Sequence, residues 1–189
     1  LPRLDHHEPI AESHRTLVVV PALLSSVNAV RSVVDNLEIA YLANRDENLG
    51  YALLGDLKGA DRAHVEGDAE IIDAALRAVE ELNIRYQVEH GRTPFALFLR
   101  GRTYNEAERG WMGWEPKRGS LLELTHALRR SQETSFIHRI GDEGFLGGVT
   151  FVLTLDADTQ LPRDAARKLV STIAHPLNRA RWTPGERRV

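Results

Sequence analysis

Residues 149–162 read "VTFVLTLDADTQLP", an apolar run that ends in two aspartates one residue apart. A short run of Val, Phe, Leu and Thr between turn residues has the pattern of a strand buried on both faces, as in a parallel sheet. Two carboxylates at the mouth of such a strand repel each other unless a cation lies beside them. The fold therefore depends on whether the rest of the chain supplies neighbouring strands of the same kind.

Upstream it does. "HRTLVVVPALL", residues 14–24, reads as a first core strand that Pro21 ends, and "LGYALLGD", residues 49–56, as a second that ends at Asp56. "PFALFLR", residues 94–100, is the third, and residues 149–155 are the fourth. Between them apolar residues recur at helical spacing. Val27, Val30, Val34, Leu37 and Tyr41 predict a helix capped by Ser25 or Ser26, and Ile72, Leu76, Val79, Leu82 and Tyr86 predict one from Ala69 to about Glu89. Leu121, Leu124 and Leu128 mark a third helix, and Ala166, Leu169, Val170 and Ile173 a fourth. Residues 101–119, "GRTYNEAERGWMGWEPKRG", read as a loop. Alternating strands and helices predict an α/β fold, a Rossmann-like, mostly parallel sheet flanked by helices. Residues 1–15 form an N-terminal arm and residues 16–189 the domain. Ligands of such sheets sit beyond the carboxyl ends of the strands, so Asp56, Asp156 and Asp158 are expected to converge there.

Composition narrows the chemistry. The 189 residues carry a formal net charge of -3, which argues against a nucleic-acid surface even though residues 178–189, "NRARWTPGERRV", are locally basic. With no cysteine there is no disulfide, thiolate nucleophile or cysteine-bound zinc. Apolar runs such as "TLVVVPALL" fall short of the roughly 20 residues that span a bilayer. The chain opens on Leu1 and closes in a polar turn, and it is expected to be a piece of a longer protein. Adjacent His6 and His7 lie in the arm and read as solvated. Neither a Walker loop nor a Gly-x-Gly-x-x-Gly stretch occurs.

The paired aspartates suit Mg²⁺ or Mn²⁺, hard ions that keep some waters and complete their shell with substrate phosphate oxygens. The plainer alternative makes Asp158 the cap of the following helix and leaves Asp156 solvated. "DADT" also matches the Asp-x-Asp-x-Thr motif of haloacid dehalogenase-like phosphotransferases, but there the motif lies on the first strand and further motifs follow it. A non-catalytic scaffold is the third possibility. In the loop, Trp111 and Trp114 have faces for a base or sugar, and Lys117 and Arg118 have charges for phosphate.

Taken together, "HRTLVVVP", "YLANRDENLGYALLGD", "WMGWEPKRG", "TLDADTQLPRDAARKLV" and "AHPLNR" resemble the glycosyltransferase region of cyclic β-1,2-glucan synthases. The resemblance implies a nucleotide-sugar transferase of the A fold, inverting, with UDP-glucose as donor and a growing β-1,2-glucan chain as partner. It places the parent in the inner membrane, working at the cytoplasmic face. By position it makes Asp158 the direct metal ligand, with Asp156 a second ligand that also faces the ribose or donor sugar. It sets Asp56 near the uracil, Pro21 in the pocket wall, and Lys117, Arg118 and Gly119 in the segment that approaches the nucleotide, beside Trp114 as a nucleotide-sugar-binding residue. Pro116 and Thr125 depart from the family's pattern, which has a basic residue and an asparagine there. The general base and the acceptor-binding segment are expected beyond Val189, so residues 1–189 would hold donor without transferring glucose.

Overall fold

The nine residues of β2 (Leu49–Leu57) are buried without interruption, which places this strand at the centre of the sheet. The structure is a computed structural model and describes residues 1–5, 7–87, 92–129 and 134–178. The expectations for His6 and for residues 179–189 lie outside them. Before β2 come β1 (Thr16–Leu24) and α1 (Val27–Ala43); after it come α2 (Asp68–Arg85) and β3 (Phe95–Arg100). A small hairpin, β4 (Thr103–Asn105) and β5 (Gly110–Met112), leads to α3 (Pro116–Leu128). The chain continues through β6 (Phe136–Ile140), a single turn α4 (Glu143–Leu146), β7 (Phe151–Thr154) and α5 (Ala165–Ile173).

The main sheet runs β6-β3-β2-β1-β7. All pairings are parallel except that of β6 with β3. Side chains alternate across each strand. Val18, Val20, Tyr51, Leu53, Phe95 and Leu97 point to one face, where α1, α2 and α5 cover them. Leu17, Val19, Ala52, Leu54, Ala96 and Phe98 point to the other, beneath α3 and α4. The expected α/β architecture with helices on both faces is what the chain forms, with a fifth strand at the β3 edge.

Several details differ from the sequence reading. β1 does not stop at Pro21 but runs on to Leu24, because its rungs with β2 continue. β7 is shorter than expected and buried on one face only: Phe151 and Leu153 enter the core while Val152 and Thr154 are exposed. In α5, Ala166 and Val170 are buried, but Leu169 and Ile173 face outward across an apolar groove against β7. Residues 101–119 hold a hairpin in place of a plain loop. It is anchored where Trp111 and Ala60 exchange backbone hydrogen bonds of 2.8 and 2.9 Å. The N-terminal residues lie along the body: Ile10 is buried, its N–H donates to Asp46 and its carbonyl accepts from Asn48. Among the described residues no helix is long and apolar enough to cross a membrane.

Ser26 caps α1, its hydroxyl accepting from the Ala29 N–H at 3.1 Å. α5 is capped differently. Its N-cap residue Asp164 makes no capping bond, and Asn44, from the end of α1, accepts the Ala166 N–H at 3.0 Å and donates to the Ala40 and Leu161 carbonyls. Asn44 is buried, so removing its side chain strands three backbone groups. Asn44→Ala should cost about 1–3 kcal/mol, read as a shift in the urea midpoint.

Asp68, which opens α2, holds Arg102 by two bonds of 2.5 and 2.9 Å, and Arg102 also donates to the Lys58 and Ala63 carbonyls. The hydrogen bonds from Arg102 hold the Asp68 carboxyl below the usual carboxylate range, against a smaller opposing effect of burial. A depressed folded pKa gives stability that is fully present above the unfolded value, about pH 4, and lost as pH falls through the folded one. Asp68→Asn removes this contribution, so the stability gap between wild type and variant should narrow from pH 7 to pH 3 in paired urea titrations.

Candidate functional site

β1 and β2 deliver Pro21 and Asp56 to the carboxyl edge of the sheet, on the α3 side. There they line a pocket of about 130 Å³ together with Ala22, Leu23, Pro116 and Lys117. Lys117 lies in the first turn of α3, and its ammonium meets an oxygen of Asp156, just past β7. Three of the residues singled out from sequence therefore share one pocket wall, and a fourth is joined to it through Lys117.

The chain turns into position at Asp156 for a chemical reason. Along β1 the backbone groups of alternate residues, Val19 and then Pro21, face β7, and the Val19 carbonyl accepts the Leu155 N–H at 2.9 Å. The next rung would need an N–H from residue 21, and proline has none. The ladder ends there, and a turn closed by the Thr159 N–H on the Asp156 carbonyl follows. Asn36 pins this turn by donating to the Ala157 carbonyl at 2.9 Å. Asp156 and Asp158 are both exposed. Asp158 does not cap α5, whose N-cap is Asp164, so the plainer reading of that aspartate does not apply.

Asp56 is only 4% exposed and is committed on its inner side. Its two oxygens accept from Arg100 Nε and Nη2 at 2.7 and 2.9 Å. Burial pushes the Asp56 carboxyl up, while the hydrogen bonds and charge of Arg100 oppose that shift. Desolvation works against the Arg100 charge, but its bonds to Asp56 and Glu123 outweigh it, and the guanidinium is held above its ordinary range. Arg100 Nη1 donates to Glu123 at 3.0 Å and to the Trp114 carbonyl at 3.1 Å, and Nη2 also reaches the Pro116 carbonyl at 3.3 Å. Glu123 in turn accepts from the N–H and hydroxyl of Ser135.

Trp114 is 45% exposed, its carbonyl turned inward to Arg100. Arg118 extends into solvent beside Glu115. Trp111 lies apart from the pocket, on β5, edge-to-face with Tyr104. Sequence reasoning missed Arg100, Glu123 and Gly113. The usable signal was an arginine closing an otherwise apolar strand run, and a glycine between two tryptophans.

Among the described residues no group of three or more His, Asp or Glu side chains is placed to hold a metal ion. The donor set after β7 is two exposed carboxylates, one already accepting a cationic group. Such a set fits a hard ion whose remaining ligands are water and substrate phosphate, as Mg²⁺ and Mn²⁺ take them.

No family model matches the chain. Over 170 residues, 90% of its length, the chain is 45% identical to the cyclic beta-(1,2)-glucan synthase NdvB of Rhizobium meliloti (strain 1021). The chain is a homologue of one segment of that synthase. It spans 6% of the length of NdvB.

Two glycines allow close packing at the entry to α3. A Cβ on Gly119 would lie 2.1 Å from the Trp114 carbonyl oxygen, and one on Gly113 2.6 Å from an Asp56 oxygen. Backbone cannot swing aside as a side-chain end can. Gly119→Ala should therefore destabilise the chain by about 1–3 kcal/mol, measured by urea denaturation.

Proposed function

We propose that this chain holds a nucleoside diphosphate sugar at the carboxyl edge of its sheet, with Mg²⁺ or Mn²⁺ on Asp156 and Asp158. In this reading it is the donor-binding part of a nucleotide-sugar transferase of the A fold. The donor is UDP-glucose, the acceptor a growing β-1,2-glucan chain, and the whole protein an inner-membrane synthase of cyclic β-1,2-glucan acting at the cytoplasmic face. The observation that carries the reading is the contact of Lys117 with Asp156 beside the pocket of Pro21 and Asp56. The kinship with a segment of NdvB supports it.

Each side chain has a part that its chemistry suits. Asp56, anionic and fixed by Arg100, accepts an N–H of the base at the pocket floor. Pro21 walls the pocket without a backbone donor to compete. Trp114 offers a half-exposed ring for stacking on the base or sugar. Lys117 offers a point charge for the phosphates from the first turn of α3, where the helix dipole adds to it, and Arg118 a second charge from solvent. Asp156 and Asp158 would hold the divalent ion, and Lys117, which meets Asp156 in the chain alone, would turn to the phosphates. When bound, the ion supplies Lewis acidity for the charge left on the diphosphate as the bond to glucose breaks.

Asp158 is exposed and clear of the core, so Asp158→Ala should shift folding stability by no more than about 0.5 kcal/mol. The same change should weaken Mn²⁺-dependent UDP binding at least about 10-fold in calorimetry. Equal affinity for wild type and variant would reject the site.

A further inference from the structure

The five N–H groups of Arg100 are all used inside the protein, so this side chain has none left for a ligand. Its acceptors nevertheless include two residues that line the pocket, Asp56 and Pro116. The accepting carbonyls of Trp114 and Pro116 lie on either side of Glu115. Glu115 has φ 37°, ψ 80°, a left-handed conformation that a residue with a side chain adopts at a cost and that a following proline makes harder to hold. Lys117 comes directly after this turn. Gly113 closes the arrangement from above, with room for no Cβ against Asp56 and the Arg100 guanidinium.

We propose that Arg100 is a positioning residue of the pocket: by gripping the carbonyls on both sides of Glu115 while bound to Asp56, it sets where Lys117 stands relative to Asp56. The ligand part of this proposal rests on the nucleotide-sugar reading; the positioning part does not. A lysine at 100 keeps a charge but carries three donors on one atom, and it cannot span Asp56, Glu123 and two carbonyls at once.

The test is a double-mutant cycle on this chain, with Mn²⁺-dependent UDP affinity read by calorimetry and folding checked by melting. Arg100→Lys should weaken binding roughly 10-fold, the lower end of what loss of an outer-shell partner costs. In a Lys117→Ala background the same change should have a clearly smaller effect, because Arg100 acts on the ligand through Lys117 as well as through Asp56. A purely structural arginine would leave the affinity of the folded chain unchanged or give losses that multiply, and either result overturns the proposal. Where Arg100→Lys does not fold, Gly113→Ala, which presses on the same contact with every charge retained, should give the same loss and the same non-additivity. A ligand-free measurement separates this inference from the functional reading. With Trp111 and Trp182 replaced by phenylalanine, acrylamide quenching reports Trp114 alone, and Arg100→Lys should raise it. If wild type binds no UDP but quenching rises, the nucleotide reading fails while the positioning role stands. Unchanged quenching in a folded variant refutes the positioning role.

Discussion

A guanidinium with no access to water must find an acceptor for each of its five N–H groups, and Arg100 finds them on four residues in three parts of the chain. Asp56 comes from the end of β2, Glu123 from the middle of α3, and the Trp114 and Pro116 carbonyls from the segment that enters α3. Glu123 passes the connection on to Ser135, just before β6. One side chain thus joins the central strand, the helix on that face and the antiparallel edge. Desolvating such a group is tolerable only with full pairing, and removing one partner from a buried pair costs about 3–5 kcal/mol. The order of elements on this side of the sheet is therefore enforced by charge as well as by apolar burial.

The opposite face is held in another way. Tyr41, Tyr51, Tyr86 and Phe95 pack ring against ring between α1, α2 and the strands, at centroid separations of 5.0 to 6.2 Å. The Tyr51 hydroxyl is buried and donates to the Asn44 carbonyl at 2.7 Å. Asn44 is the residue whose side chain receives α5. The aromatic layer and the start of α5 are consequently coupled through one residue at the end of α1, and the strand bearing the paired aspartates is fixed between β1 and that helix.

How legible this was from sequence follows from where each instruction resides. β1, β2 and β3 are apolar runs and α1 carries a local cap, so their existence could be read from adjacent residues. β6 could not: "FIHRI" alternates exposed and half-buried residues at an edge, and its charges conceal it. β7 reads as fully buried because Val152 is valine, yet the face it presents has no helix over it. The cap of α5 arrives from residue 44, more than a hundred positions away, and no local pattern announces it. At the site, the paired aspartates, Asp56 and Lys117 were visible because charged residues sit at strand and helix ends, whereas Pro21, inside β1, entered only through the family resemblance. Arg100 was hidden because an arginine closing a strand ordinarily points to water.

The proline in β1 has a further consequence. Strand pairing propagates like a zipper, each rung lowering the cost of the next, and it commonly stops where distance or twist pulls the backbones apart. Here it stops for want of a proton. Because residue 21 cannot donate, β7 parts from β1 after Leu155 whatever the side chains beyond would prefer, and Asp156 begins the turn. The position of the paired carboxylates along the sheet edge is thus indexed to a covalent feature of a neighbouring strand.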